Sequence, residues 1–370
     1  MQSFKFLIVF MWMALLSACF PIKSIFLAAP DAKDSRRFAY NRVEADSIEC
    51  FEYKGPFETN NVLKVNDWTS DIPYFVDLDA LFESHATRGF ILIQNDTILY
   101  EYYGSGFNEK STHPSYSMAK SFVATLCGIA IDEGKLKSVQ DLVVDYIPEI
   151  REYPKAATLT IKHLLNHSSG IAADLLLDAL LYYGDNITPY LKRLHFDHNP
   201  GQRQHYLNVN TQLLSLVIER ATSVKISEFL EQKIWQQIGS CQPAFWSTDR
   251  HNKTDKAFCC LSATLRDYAK LGRLYLGQGQ WGHQQVFSKQ WYYQSICRDT
   301  TEGSSYNYNY SWHLGLKEYG DFMAIGLYKQ HIYINPSKNC VMVLLNNKED
   351  KLQAERVNWW YVFRQISDQL

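Results

Sequence analysis

The stretch that decides the fold is Tyr116–Gly134, which reads YSMAKSFVATLCGIAIDEG. Its apolar side chains recur every three or four positions, the spacing of a helix that buries one face. Gly134 is a typical C-terminal stop for such a helix. Ser117 and Lys120 lie three residues apart near its start, so the lysine amine can reach the serine hydroxyl. The sequence therefore predicts a buried helix that opens with a serine–lysine pair.

This pair has the chemistry of an activated nucleophile. A serine hydroxyl is a weak nucleophile until a base takes its proton. Burial on an apolar helix disfavours the charged form of Lys120 and lowers its pKa, which supplies such a base. Backbone N–H groups at the start of the helix can also stabilise an oxyanion on the attacked carbonyl. We predict that Ser117 is the nucleophile of a hydrolase.

A second polar pair, Tyr206 and Asn208, lies where a loop meets a helix. Pro200-Gly201 marks a turn before the pair, and a helical pattern follows it at Val209–Ala221. A tyrosinate held beside a cationic lysine would have a depressed pKa and could itself act as the base. The simpler alternative is a surface tyrosine followed by an N-capping asparagine. Whether Lys120 or Tyr206 is the resting base is left open by the sequence.

Strand patterns occur towards both ends of the chain, and helical patterns lie between them. Two early β-rich runs flank residues 94–97 and predict a hairpin, and three late runs precede a terminal helix. The runs are Phe90–Ile93, Ile98–Tyr103, Phe322–Leu327, His331–Ile334 and Cys340–Leu345, and the helix is Trp359–Ile366. We therefore predict an α/β (α+β) fold in which residues 71–137 and 286–370 form an antiparallel sheet flanked by helices. Residues 138–285 are predicted to form an inserted, mostly helical domain.

The first 19 residues differ from the rest of the chain. The uncharged apolar run Phe6–Leu16 is too short to cross a membrane and is typical of a signal peptide. It leads into Leu16-Ser17-Ala18-Cys19, which resembles a bacterial lipobox. We predict a signal peptide at 1–19, lipidation of Cys19, a tether or lead-in at 20–70, and a membrane as partner through the lipid anchor. The alternative is an ordinary cleaved signal peptide.

Both versions of the N-terminus predict export to the cell envelope. If the source is Gram-negative, the phenylalanine after Cys19 favours the periplasmic face of the outer membrane. An oxidising compartment permits disulfides, but the sequence does not assign them. The chain has eight cysteines, and removing Cys19 leaves an odd number, so at least one stays unpaired in a monomer. The adjacent Cys259 and Cys260 could bridge to Cys241 or Cys297, but we expect buried free thiols.

Charge and ligand spacing argue against several other functions. The formal net charge is −2, so there is no basic excess to bind nucleic acid. His163 and His167 have the spacing of a zinc pair, but no glutamate lies between them and no third ligand is evident. We therefore predict no metal, no cofactor and no nucleic acid partner.

Five segments in a fixed order resemble the serine β-lactamase-related family, which includes class C β-lactamases, carboxypeptidases, esterases and 6-aminohexanoate-dimer hydrolases. They are Ser117-x-x-Lys120, Thr160–Gly170 (TIKHLLNHSSG), Pro200-Gly201, Tyr206-x-Asn208 and Ser262–Ala269 (SATLRDYA). The resemblance covers roughly residues 85–350. It implies that Ser117 forms an acyl-enzyme while Lys120 and Tyr206 share proton transfer. It further implies that Asn208 orients the lysine and the substrate, and that His167 is a structural hydrogen-bonding residue.

The family's third motif, Lys-Thr-Gly or His-x-Gly on an edge strand, is altered here. Its place is Ala324-Ile325-Gly326, where the glycine is kept and the cation or imidazole is missing. The resemblance still implies an oxyanion site at Gly326 and Leu327, in which the N–H of Leu327 acts beside that of Ser117. Recognition of a substrate carboxylate is in doubt, although Lys329 could supply a charge nearby.

The altered motif and the upstream Tyr308-x-Tyr310-x-Trp312 favour one branch of the family. We expect an amide or ester hydrolase of the 6-aminohexanoate-dimer hydrolase or esterase type, with a small-molecule substrate and Trp312 in the substrate site. The alternatives are a D-alanyl carboxypeptidase or a class C β-lactamase. From another class, the alternative is an inactive envelope protein that binds through the same cleft.

Overall fold

The computed structural model describes residues 30–31, 33–45, 50–55, 64–67, 74–346 and 357–370. The predicted signal peptide, Cys19 and the start of the predicted tether lie outside these residues. Within the described part, no helix is long and apolar enough to span a bilayer.

The helices and strands are numbered here in chain order. The helices are α1 (Asp34–Arg37), α2 (Leu78–Ser84), α3 (Ala119–Asp132), α4 (Val143–Tyr146), α5 (Ile161–Leu165), α6 (Leu175–Tyr183), α7 (Asn208–Thr222), α8 (Ile226–Leu230), α9 (Leu265–Leu276), α10 (Lys289–Ile296) and α11 (Trp359–Asp368). The strands before α9 are β1 (Ala39–Val43), β2 (Lys64–Asp67), β3 (Tyr74–Asp77), β4 (Thr87–Gln94), β5 (Thr97–Tyr103), β6 (Thr112–Pro114), β7 (Ala244–Thr248) and β8 (Leu261–Thr264). The later strands are β9 (Gln280–Trp281), β10 (Gln284–Gln285), β11 (Tyr308–Asn309), β12 (Trp312–Leu314), β13 (Phe322–Gly326), β14 (Gln330–Asn335) and β15 (Cys340–Asn346).

Seven strands form one antiparallel sheet in the order β11-β12-β13-β14-β15-β4-β5. The early hairpin and the late strands therefore meet in one sheet, as predicted, and the predicted fold class is confirmed. The β4–β5 turn has positive φ at Asn95 (51°) and Asp96 (60°). Positive φ at both central positions gives a tight turn whose twist matches that of the flanking strands, and asparagine and aspartate tolerate it better than most residues.

Helices cover both faces of this sheet. On one face, α3 and α9 pack in the main core with residues such as Phe122, Leu271 and Val343. On the other face, α11 packs through Trp359 and Phe363 against the opposite side chains of the same strands. This alternation follows from the period of two in a strand. Helix α9 falls in the predicted helical domain by sequence, but it packs against β14, β15 and β4.

The predicted helices agree with the structure. A 3₁₀ turn at Tyr116–Met118 runs into α3, and Gly134 follows the helix with φ 70°. The side chain of Thr160 caps α5 by accepting the backbone N–H of His163.

The predicted tether is more ordered than the sequence suggested. Within it, β1 is an edge strand of a second sheet in the order β1-β7-β8-β6. A disulfide joins Cys50 to Cys241, 191 residues further along the chain. The description of 20–70 as an irregular lead-in is therefore wrong for these residues. Pairing with a distant strand decides this structure, and local composition does not report it.

Cys259 and Cys260 also differ from expectation. Cys259 and Cys260 form a disulfide with each other, and Cys127, Cys297 and Cys340 are free. The prediction that Cys259 and Cys260 are free thiols is wrong. Their carbonyl groups also accept hydrogen bonds. Trp246 Nε1 donates to Cys259 O, and Ser247 N donates to Cys260 O.

Candidate active site

Ser117 lies in the 3₁₀ turn that opens α3. The side chains on either side, Tyr116 and Met118, are buried and anchor the turn. Tyr116 has φ 45°, a left-handed conformation that costs a non-glycine residue about 1–3 kcal/mol. Its ring packs edge-on against Tyr328 at 5.3 Å between centroids. The turn therefore holds a partly exposed Ser117 between two buried neighbours.

Lys120 is the second residue of α3, one turn after Ser117, and is 1% exposed. Its Nζ lies 2.9 Å from Ser117 Oγ and 3.0 Å from Asn208 Oδ1. A third contact, 2.8 Å long, reaches the backbone carbonyl of Phe258. These acceptors are all neutral oxygens, and no carboxylate of the described residues forms an ion pair with the amine.

The charge state of Lys120 follows from this environment. Burial lowers its pKa to about 7, and the charge of Asp178 opposes that shift only in part. A neutral amine has two N–H donors and one lone pair. The donors match Asn208 Oδ1 and the Phe258 carbonyl, which leaves the lone pair facing the hydroxyl of Ser117. The neutral amine of Lys120, held in this geometry, can take the proton of Ser117 Oγ.

Tyr206 lies on the open side of the same cluster. Lys120 Nζ lies 4.9 Å from the centroid of its ring. Although 42% of Tyr206 is exposed, burial around its hydroxyl raises its pKa to about 12, and a hydrogen bond with Ser117 offsets the rise only in part. The phenol is therefore protonated at neutral pH, so it can relay or donate a proton but is not a resting base.

His167 supports Tyr206 from behind. The two rings stack at 4.3 Å with an interplanar angle of 28°. Nδ1 of His167 accepts the backbone N–H of Leu207 at 3.2 Å and lies 3.2 Å from Asn210 Nδ2. Burial, and then the charge of Lys120, hold the pKa of His167 well below its usual range. The neutral imidazole thus fixes the loop-to-helix junction that carries Tyr206 and Asn208, a structural role that agrees with the prediction.

Strand β13 brings Gly326 against the segment that precedes Ser117. A Cβ at Gly326 would overlap the carbonyl oxygen of Ser115, so only glycine allows this approach. Leu327 follows at the end of the strand and is 45% exposed. Beyond the turn that follows, a hydrogen bond of 3.1 Å from Asn346 N to Gln330 Oε1 fixes the start of β14. Gly326 and Leu327 therefore lie beside the 3₁₀ turn that carries Ser117.

The altered third motif is also visible in the structure. Ala324 is fully buried and faces the main core, so no charge is presented from that position. Lys329 lies in the β13–β14 turn with φ 60°, and its charge contributes to lowering the pKa of His331, which burial dominates.

The prediction that Trp312 lies in the substrate site is wrong. Its side chain is fully buried and packs against Tyr275 at 4.4 Å and Phe322 at 5.3 Å. The first residue of the same motif reaches the site instead, because Tyr308 contacts the rings of Tyr206 (6.0 Å) and His167 (5.6 Å). The sequence motif was informative, but alternation along the strands decided which of its aromatic residues faces the cleft.

A family model described as Beta-lactamase matches residues 79–366, well over half of the chain. The chain belongs to the beta-lactamase family. It is accordingly a serine hydrolase, with relatives named as hydrolases in both sequence and structure. The match runs from α2 to α11 and so includes every residue of the cluster around Ser117.

Similar proteins within the beta-lactamase family carry several names. The 6-aminohexanoate-dimer hydrolase of Paenarthrobacter ureafaciens is 25% identical over 307 residues, 74% of this chain and 76% of that protein. A solved structure from Bacillus anthracis, provisionally named as a 6-aminohexanoate-dimer hydrolase, has a TM-score of 0.78 at 22% identity and covers 90% of this chain and 91% of its own. A penicillin binding protein from Bacillus halodurans has a TM-score of 0.62 at 18% identity, over 79% of this chain and 99% of its own. These structures show the shared fold.

Two members of the site in this beta-lactamase-family protein were missed by sequence reasoning. One is the carbonyl of Phe258, since a backbone group leaves no trace in a motif. The other is Asp178 on α6, which hydrogen-bonds with Asn208 and interacts with the charge of Lys120. Burial raises the pKa of Asp178, and these two contacts oppose the rise. Its place on a leucine-rich helix gave no signal of either contact.

Proposed function

We propose that this protein cleaves an amide or ester bond of a small molecule through an acyl-enzyme on Ser117, in the manner of a 6-aminohexanoate-dimer hydrolase. The observation that supports the proposal is that Lys120 Nζ contacts only uncharged oxygens. A buried amine that contacts Ser117 Oγ and two carbonyl-type oxygens is arranged to be a base near pH 7.

In the first half-reaction, Lys120 takes the proton of Ser117 as Oγ attacks the substrate carbonyl. Negative charge develops on the carbonyl oxygen, and we assign the N–H groups of Ser117 and Leu327 to stabilise it. The tetrahedral intermediate then expels the amine or alcohol. Tyr206 is protonated and within hydrogen-bonding reach of Ser117, so it passes a proton to the leaving group and recovers one from Lys120.

In the second half-reaction, water replaces the leaving group. Lys120, neutral again, takes a proton from the water as it attacks the acyl carbon, and the carboxylic acid product departs as Ser117 regains its proton. Asn208 holds the amine of Lys120 in line throughout, because its Oδ1 accepts one N–H.

The substrate class rests on two observations. The relative from Paenarthrobacter ureafaciens is named for an amide substrate and aligns over most of both chains. In addition, Ala324 lacks the cation that the family resemblance associates with the carboxylate of a penicillin or a D-alanyl peptide. Both favour a linear amide or an ester over a β-lactam or a D-alanyl peptide.

A fluorophosphonate probe tests the nucleophile. We expect the wild type to be labelled and Ser117→Ala to lose both labelling and turnover of p-nitrophenyl butyrate. Ser121→Ala is a matched control, because its hydroxyl lies on the same helix but donates to the carbonyl of Ser311. A folded wild type that never labels would support the inactive binding protein instead.

A substrate panel separates the branches of the family. We expect turnover of short esters and linear amides such as the 6-aminohexanoate dimer, with little turnover of nitrocefin or D-alanyl-D-alanine peptides. Efficient nitrocefin hydrolysis would favour a β-lactamase, and release of D-alanine would favour a carboxypeptidase.

We also propose that Cys19 is lipidated and holds the enzyme at the cell envelope, on the periplasmic side of the outer membrane in a Gram-negative source. The support is the sequence of residues 6–19. Cys19→Ser should move the protein from the membrane fraction to the soluble fraction, and unchanged fractionation would refute lipidation.

A further inference from the structure

A cavity of 530 Å³ lies beside the second sheet, outside the cluster around Ser117. Strands β6, β7 and β8 contribute to its floor, and the N-terminal segment 33–40 forms part of its wall. Its volume is in the range of sites that bind small organic molecules, about 300–1,000 Å³.

The floor of the cavity is a row of side chains across three strands. Ser262 on β8 pairs with Phe245 on β7 and with Pro114 on β6, so the three side chains lie on the same face of the sheet. Ser262 is 3% exposed, and its Oγ has no hydrogen-bond partner among the described residues. A buried hydroxyl without a partner is unfavourable unless a ligand supplies one.

The walls of the cavity combine positive charge with aromatic rings. Lys33, Arg36 and Arg88 line it, and none of the described residues that line it is an aspartate or glutamate. The guanidinium of Arg88 lies 5.1 Å from the centroid of the Phe107 ring. The nearby acids Asp31 and Asp34 instead pair with Arg37, which is not part of the lining.

The wall also includes an aromatic pair. Tyr40 packs edge-on against Phe245 at 5.2 Å, and both line the cavity. A ligand that fills this space therefore meets rings along its body and cations at the rim. That combination suits an anion with an apolar body better than an inorganic anion, which gains nothing from the rings.

We propose that this cavity is a binding site for an organic monocarboxylate with an apolar body. One carboxylate oxygen accepts a hydrogen bond from the hydroxyl of Ser262, and the basic side chains at the rim neutralise its charge. If the proposed function holds, the hydrolase itself releases a carboxylate. Binding to the cavity does not depend on that reaction.

Calorimetric titration of the full chain with 4-phenylbutyrate tests the proposal. We expect one site per chain and at least tenfold weaker binding of the uncharged 4-phenylbutyramide. Ser262→Ala should weaken 4-phenylbutyrate binding by about tenfold without lowering the melting temperature, because the hydroxyl it removes bonds to no described residue. Arg151→Met, at an exposed arginine that is not part of the lining, is the control and should bind like the wild type.

The charge requirement has its own variants. Arg88→Met should also weaken binding. If Arg88→Met does not fold, the double variant Lys33→Gln with Arg36→Gln tests the same requirement, because both side chains are exposed. Wild-type affinity in Ser262→Ala and in the charge variants would overturn the proposal. Equal competition by inorganic phosphate would overturn the requirement for an apolar body.

A last experiment distinguishes binding in this cavity from binding in the catalytic cleft. Enzyme whose Ser117 carries a fluorophosphonate adduct should bind 4-phenylbutyrate as well as unlabelled enzyme does. Loss of binding on labelling would place the ligand at Ser117 and overturn the proposal. Should Ser117 resist labelling, Ser117→Trp blocks the cleft for the same comparison.

Discussion

Two buried lysines, Lys120 and Lys270, differ in the charge of their partners. Both are 1% exposed, and both lie on helices that pack on the same face of the main sheet. Lys120 contacts neutral oxygens only. Lys270 forms an ion pair with Asp267 at 2.9 Å and also donates to Gly239 O at 2.6 Å and Cys241 Sγ at 3.2 Å.

The comparison teaches that burial alone does not make a lysine a base. Burial lowers the pKa of both amines, but at Lys270 the charge and hydrogen bond of Asp267 oppose the shift directly. At Lys120 the opposing charge of Asp178 is weaker, and its pKa falls to about 7. The lysine with a carboxylate partner stabilises the fold, and the lysine without one is available for chemistry.

The largest expected effect is on catalysis. Lys120→Met should lower kcat/KM for p-nitrophenyl butyrate by about a thousandfold or more, because Ser117 loses its base. Lys270→Met, at the same burial, should retain activity within a few fold per folded molecule. Equal losses in both variants would show that Lys120 acts through stability alone.

For stability, we expect Lys270→Met to have a larger effect than Lys120→Met. Lys270→Met leaves Asp267 charged and unpaired in the core, which should lower the free energy of unfolding by about 3–5 kcal/mol. Urea titration measures the loss. The double variant Lys270→Met with Asp267→Asn removes both charges, keeps an acceptor for the backbone N–H of Cys241 and should recover part of it. A single variant as stable as the wild type would contradict the ion pair.

A third variant gives Lys120 the kind of partner that Lys270 has. Asn208→Asp places a carboxylate 3.0 Å from Nζ with almost no change in shape. An opposite charge at that distance raises a lysine pKa by about 1–3 units, so the acidic limb of kcat/KM should move from about 7 to about 8 or higher. At pH 7 the activity should fall about tenfold or more. A pH profile that stays in place would mean that Lys120 is not the resting base.

The smallest expected effect is on the pH dependence of folding. Between pH 7 and 9 the folded protein keeps Lys120 largely neutral, whereas the unfolded chain protonates it, with its ordinary pKa of 10.5. The unfolded state binds more protons there, so stability should rise with pH by up to about 1.4 kcal/mol per unit. Below pH 7 both states are protonated and this contribution is constant. The difference in slope between wild type and Lys120→Met measures it, and equal slopes would contradict the lowered pKa.

Much of the fold was predictable because its signals are local. The helix after Ser117, the hairpin at Asn95 and Asp96 and the three late strands each follow from periodicity or turn chemistry within a few residues. The contacts of the lead-in were not predictable in this way. Strand β1 and Cys50 find their partners about 190 to 210 residues away, which no local pattern reports.

The sequence by itself determined which residues could do chemistry: a serine and lysine on one helical face, and a tyrosine and asparagine at a loop-to-helix junction. Only the tertiary structure decided what they can do. The shell of Lys120 comes from Asn208 and Phe258, 88 and 138 residues away, and burial of the amine lowers its pKa to about 7. Tertiary packing likewise turned Tyr308 towards the cleft and Trp312 into the core. The physical reason is that spacing fixes only which groups can meet, while a pKa depends on every charge and every water molecule excluded around the group.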